Sequence, residues 1–137
     1  MALRVSDIAR STDWYRRTLG YDVVRDGHSP TPDRTRNTFG LVGGLLLELL
    51  QSDGPGEAPG QGHYGIVGLS LTVADLAAAV EALKGSGEGV TPVIEAGPWK
   101  VAFLRDPDGS VIELVQQPNG APDIAALAED LRSGALG

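Results

Sequence analysis

The chain has 137 residues, 11 Lys and Arg against 18 Asp and Glu, a net charge of −7 and no cysteine. That length suits one ordinary domain, and the lack of cysteine excludes disulfide scaffolds, zinc ribbons, iron–sulfur clusters and thiol catalysis. The acidic balance argues against nucleic acid, which requires clustered cations. No apolar run reaches the roughly 18 residues of a membrane span, and no charged-then-apolar leader follows Met1, so a cytoplasmic protein with a small-molecule partner is expected.

Taken in chain order, Leu3 and Val5 alternate with Ala2 and Arg4, the period of a strand with one buried face. Asp7 then stands where a helix N-cap belongs, Ile8, Ser11, Tyr15 and Leu19 share one helical stripe, and Gly20 is a stop signal. Trp14 and Tyr15 on that helix are expected in the core. Strands are expected at Tyr21–Arg25, Thr38–Val42 and Leu45–Leu50, the last two joined at a Gly43-Gly44 hairpin turn. The Gly- and Pro-rich stretch QSDGPGEAPGQG cannot hold a regular element and forms a joint.

Beyond the joint the pattern returns. Val73-Ala74-Asp75-Leu76-Ala77 repeats Val5-Ser6-Asp7-Ile8-Ala9 at an offset of 68 residues. Leu69, Leu71 and Val73 alternate as a strand, Asp75 is an N-cap, Leu76, Val80 and Leu83 form a stripe, and Gly85 is a stop. Strands are expected at Thr91–Glu95, Lys100–Arg105 and Ser110–Gln116, with Asp106-Pro107-Asp108-Gly109 as the turn between the last two. Each half reads β-α-β-β-β. Neither half alone buries its sheet, so residues 1–118 are expected to form one domain: module 1 at 1–52, a joint at 53–62 and module 2 at 63–118. A further helix over Pro122–Arg132, with Ile124, Leu127 and Leu131 on one stripe, is expected within a C-terminal extension at 119–137.

Three stretches, RVSDIARSTDWYRRTLG (residues 4–20), Leu71–Leu83 and FLRDPDGSVIELV (residues 103–115), resemble the vicinal oxygen chelate superfamily. That superfamily holds glyoxalase I, bleomycin-resistance proteins, extradiol dioxygenases and methylmalonyl-CoA epimerase. The resemblance implies an α+β fold of two βαβββ modules forming a U-shaped mixed sheet around a cleft. It also implies a homodimer and, in the metal enzymes, a His and then a Glu or Gln ligand from each module. Glu48 in LLLELLQ and Glu113 in VIELVQ match the two acidic positions. The second His position is Gly68, and the first falls just ahead of Met1, where a mis-assigned start codon would account for its loss. His28 and His63 are expected to be solvated loop residues rather than substitute ligands.

Two carboxylates without an imidazole make a weak site for a borderline metal. The expectation is therefore a binding protein of the bleomycin-resistance type, sequestering an antibiotic-like molecule with no metal and no cofactor. The alternative is a glyoxalase-like lyase, isomerase or dioxygenase using a divalent metal, or a metal-free isomerase with Glu48 or Glu113 as its base. A degenerate scaffold with no site is the third possibility. The expected cleft is lined by Arg4, Glu48, Gly68, Ser70, Thr72, Trp99, Phe103 and Glu113. Within it, Arg4 should form an ion pair with Glu48 or Glu113, and Trp99 should stack on the bound molecule. Replacing Gly68 by His should restore an imidazole beside the glutamates.

Overall fold

The computed structural model describes residues 1–30, 34–52, 54, 56, 64, 66, 68–118, 128–129 and 132–134. The chain forms two compact units, one of Met1–Pro59 with Asp106–Gly109 and one of Gly60–Arg105 with Ser110–Gly137. Most of the joint at 53–62, His63, and most of the C-terminal extension with its expected helix lie outside the described residues.

In the first unit, β1 (Ala2–Val5) leads into α1 (Ile8–Leu19), followed by β2 (Asp22–His28), β3 (Arg36–Val42) and β4 (Leu45–Gln51). The sheet order is β1-β4-β3-β2, with β1 parallel to β4 and the other pairs antiparallel. Asp7 caps α1 by accepting from the Arg10 amide, and Gly20 ends it in the left-handed region at φ 68°, a conformation open to glycine at little cost. Val5, Leu47 and Leu49 turn to the helix side and are buried with Ile8, Tyr15 and Tyr21. The Tyr21 ring lies across Gly40, where an ideal Cβ would stand 2.7 Å from its Cδ2. Its hydroxyl donates to the Leu47 carbonyl oxygen at 3.1 Å. Trp14 and Tyr15 are core residues, as their stripe predicts, at 7% and 0% exposure.

The second unit repeats the plan with β5 (Gly68–Thr72), α2 (Leu76–Gly85), β6 (Ile94–Ala96), β7 (Trp99–Arg105) and β8 (Val111–Gln116). Its order is β5-β8-β7-β6, again with one parallel pair, β5 and β8. Asp75 caps α2 as Asp7 caps α1. The expected stop at Gly85 is corrected: Gly85 is the last helical residue, Ser86 is the cap, and Gly87 takes the left-handed conformation at φ 81°. The strand expected at Thr91–Glu95 is shorter and later, at Ile94–Ala96, because Thr91 closes a loop instead. Its amide donates to the Phe103 carbonyl at 2.9 Å, and its hydroxyl accepts from the Phe103 amide at 2.9 Å. The chain is thus α+β, with two four-stranded mixed sheets. No helix among the described residues is long and apolar enough to cross a membrane.

One device repeats in both units. The side-chain oxygen of Gln51 accepts from the Ile8 amide at 2.7 Å, and that of Gln116 accepts from the Leu76 amide at 2.7 Å. Each glutamine ends the strand parallel to the unit's first strand and satisfies an otherwise unpartnered amide in the helix's first turn.

The turn Asp106–Gly109 belongs to the first unit and is held tightly there. Gly109 closes it at φ 86° by donating to the Asp106 carbonyl at 3.0 Å. Asp106 is buried and accepts from the Tyr15 hydroxyl at 2.9 Å. Asp108 accepts from the Ser6 amide at 3.0 Å and from Arg10 at 3.2 Å. Burial, and then the Asp106 carboxylate beside it, push the Tyr15 phenol far above its ordinary range.

Candidate functional site

The two glutamates that interrupt apolar strands occupy matching places. In the first unit Glu48 lies between Leu47 and Leu49, which are both fully buried on the helix side, so strand alternation puts its carboxylate on the opposite face. Ala2 and Phe39 are its register partners, and Arg4 and Asn37 are both opposite Leu50, two residues along. Asn37 is 1% exposed and donates its amide to Glu48 Oε1 at 2.8 Å. Arg25 lies over the Phe39 ring at 5.9 Å.

In the second unit Ser70 and Phe103 are the register partners of Glu113. The Ser70 hydroxyl donates to Glu113 Oε1 at 2.8 Å. Thr72 lies opposite Val115 on the same face, with Val101 across from it. A cavity of about 470 Å³ opens here, lined by Ser70, Ala96, Gly97, Trp99, Val101, Glu113 and Val115. Phe103 borders a second cavity of about 500 Å³ with Thr91 and Arg105.

Each glutamate therefore has one oxygen held by a neutral donor. Its other oxygen has no hydrogen-bond partner among the described residues. The expected ion pair between Arg4 and a glutamate is corrected. Arg4 shares the face of Glu48 but is exposed and forms no ion pair among the described residues. The closer Asn37 amide, reaching across from β3, occupies the oxygen that Arg4 was expected to hold.

Gly68 also differs from expectation. An ideal Cβ there would stand 2.9 Å from the Val111 carbonyl carbon and closer still to its oxygen. The β5–β8 ladder thus leaves no room for a side chain at position 68, and a histidine could not be restored there without separating the strands. His28 ends β2 as an exposed residue opposite Arg36.

Two copies of a β-α-β-β-β unit, each with a carboxylate on its fourth strand facing away from its helix, define a class of fold shared by metal enzymes and binding proteins. The family model described as Glyoxalase/Bleomycin resistance protein/Dioxygenase superfamily matches residues 1–114, and the chain belongs to that superfamily. The lactoylglutathione lyase of Escherichia coli O157:H7 is 33% identical over 126 residues, covering 84% of this chain and 88% of that protein. Among solved structures, the trypanothione-dependent glyoxalase I of Leishmania major has a TM-score of 0.71 and 27% identity, covering 98% of this chain and 94% of that one. The fosfomycin resistance protein FosX of Listeria monocytogenes, complexed with Mn(II), shares the fold at a TM-score of 0.59 and 17% identity, over 83% and 86% of the two chains.

These relatives overturn two expectations. The bleomycin-resistance type of binding protein gives way to the lyase alternative, because further relatives of this chain also carry the name lactoylglutathione lyase. The expected absence of a cofactor is corrected as well, since the likeness to lactoylglutathione lyases and glyoxalase I favours the divalent-metal alternative over it. The donors of this chain meet that group only in part. No three His, Cys, Asp or Glu side chains come together among the described residues. Each unit contributes one carboxylate, and the imidazole position of the second is closed by the Val111 backbone. Three protein ligands are usual for a catalytic zinc, so the donor set among the described residues is incomplete.

Proposed function

We propose that this chain is a lyase of the lactoylglutathione lyase kind, acting on the hemithioacetal of a 2-oxoaldehyde and a glutathione-like thiol. The observation that carries this reading is the position of Glu113. It is a half-buried carboxylate on the wall of a cavity of about 470 Å³, with one oxygen fixed by Ser70 and the other open. In the proposed reaction that open oxygen takes the proton from C1 of the hemithioacetal and returns it to C2. The thioester forms by this internal transfer alone, with no external oxidant or reductant. Ser70 fixes the orientation of the base, a requirement for efficient proton transfer.

Glu48 of the first unit is held in the same way by Asn37. Arg4 is an exposed cation on the Glu48 face with no ion pair among the described residues, and an Arg fork of this kind can hold a carboxylate bidentately. In this reading residues 1–118 work as one domain and the protein acts as a homodimer. The half-exposed Leu41 and Leu46, adjacent across the β3–β4 hairpin, support the dimer. A cytoplasmic location belongs to the same reading, because the free thiol it uses is kept reduced in the cytosol.

The test is turnover of the methylglyoxal–glutathione hemithioacetal by protein loaded in turn with Mn(II), Ni(II) and Zn(II). Glu113→Gln should lower kcat by about 10²–10⁴-fold, the usual contribution of a positioned base. Absence of thioester product with every metal would refute the reading.

A further inference from the structure

A bulge in β2 decides which way Arg25 points. Asp22 and Val23 pair with Leu41 and Gly40, and the register then shifts so that Arg25 pairs with Phe39. Val24 is the extra residue and stays 57% exposed. An unbroken ladder would set Arg25 opposite Thr38, which is buried on the helix side against the Tyr21 hydroxyl. The inserted valine instead brings the guanidinium to the face of Glu48. Bulges of this kind re-aim a side chain and are over-represented beside functional sites.

Arg25, Phe39 and Glu48 thus form a row across β2, β3 and β4. The guanidinium lies over the Phe39 ring at 5.9 Å from its centre. Its Nε and Nη2 both stand 3.6 Å from the place a Cβ on Gly27 would take. A ring beneath and a bare glycine beside it seat the planar group along the sheet. Two strand spacings, about 10 Å, separate its backbone from that of Glu48, and the Phe39 ring stands between the two charges. Arg25 forms no ion pair among the described residues. The adjacent Asp26 pairs with Arg36 at 3.3 Å, and Asn37 holds Glu48. In a chain of net charge −7, a seated guanidinium is left without a carboxylate.

We infer that Arg25 is a specificity-determining residue: its guanidinium, seated on Phe39, receives a carboxylate of the substrate. The substrate class is a hemithioacetal with an acidic group set apart from its reacting carbons, either on the thiol peptide or on the aldehyde-derived part. This inference rests on the lyase reading for the identity of the adduct.

Calorimetry with three stable thioethers tests it: S-methylglutathione, its dimethyl ester and S-(2-carboxyethyl)glutathione. Arg25→Gln should weaken at least one of the two acids by about ten-fold or more, the usual worth of a charge-assisted hydrogen bond, and should change binding of the ester by less than about two-fold. A loss already present with S-methylglutathione assigns the carboxylate to the peptide. A loss confined to the carboxyethyl compound assigns it to the aldehyde-derived part. Arg25 is exposed on an edge strand, so the variant should keep the wild-type fold. If Arg25→Gln binds all three as the wild type does, if it weakens the ester as much as the acids, or if no thioether binds the wild type, the inference is overturned. Turnover separates the two readings. An Arg25-dependent preference for acids without any thioester product would sustain the subsite and sink the lyase; product with no effect of Arg25→Gln on binding would do the reverse.

Discussion

Replacing Gly68 by Ala tests the close approach of the β8 backbone to this glycine. The added methyl would stand 2.9 Å from the Val111 carbonyl carbon, nearer still to the oxygen, and 3.1 Å from the Val111 Cβ. Ordinary carbon–carbon contact begins at about 3.5 Å, so the neighbour must retreat. That neighbour is main chain, which has no rotamer through which to escape. Overpacking of this kind costs about 1–3 kcal/mol, and a backbone obstacle places it in the upper half. At about 4 °C per kcal/mol for a domain of this size, the melting temperature should fall by about 8–12 °C.

Thermal unfolding followed by circular dichroism measures the loss directly, with Gly85→Ala as the control. No atom lies within 4 Å of a Cβ at Gly85, which closes α2, so that change should be neutral or stabilise by up to about 1 kcal/mol. Gly68→His should melt at least as low as Gly68→Ala and should gain no zinc affinity. A Gly68→Ala protein that melts with the wild type would refute the close-approach argument and reopen position 68 as a ligand position.

The Tyr15 phenol, raised by burial and then by Asp106, keeps its proton when folded and loses it near the ordinary value of 10.0 when unfolded. Stability from this group is complete below that value and declines as pH rises above it. Tyr15→Phe should flatten the fall in denaturant midpoint above pH 10 by up to about 1.4 kcal/mol per pH unit while costing about 1–3 kcal/mol at neutrality. Gln51→Ala and Gln116→Ala should each lower the melting temperature by about 4 °C, since each removes the acceptor for a helix-start amide worth about 1 kcal/mol; an unchanged melt in either would mean that water serves as well.

Much of this architecture is visible in the residues. The repeated Val-x-Asp-aliphatic-Ala pattern marks both strand-to-helix entries, since an Asp cap needs an extended residue before it and a helical stripe after it. Glu48 and Glu113 stand out because a charge inside an apolar strand must face away from the buried side. The glutamines were missed although their signal is present: ELLQ and ELVQ place a Gln three residues after each glutamate. The parity of Arg4 with Glu48 was legible, but its pairing was not. Which side chain reaches the carboxylate depends on the β3–β4 register, and that register brings in Asn37. Position 68 was legible as a missing imidazole and not as a closed one, because the spacing of two parallel strands leaves no mark on either strand's sequence.

The failure of the expected ion pair bears on chemistry as well as on packing. A guanidinium fork on Glu48 would engage both oxygens and leave neither for a proton or a metal. An amide at Glu48 and a hydroxyl at Glu113 each engage one oxygen at 2.8 Å and bring no charge of their own. The same two contacts fix the carboxylate planes, which a base or a ligand requires. They also leave the Arg4 side chain without an ion pair among the described residues.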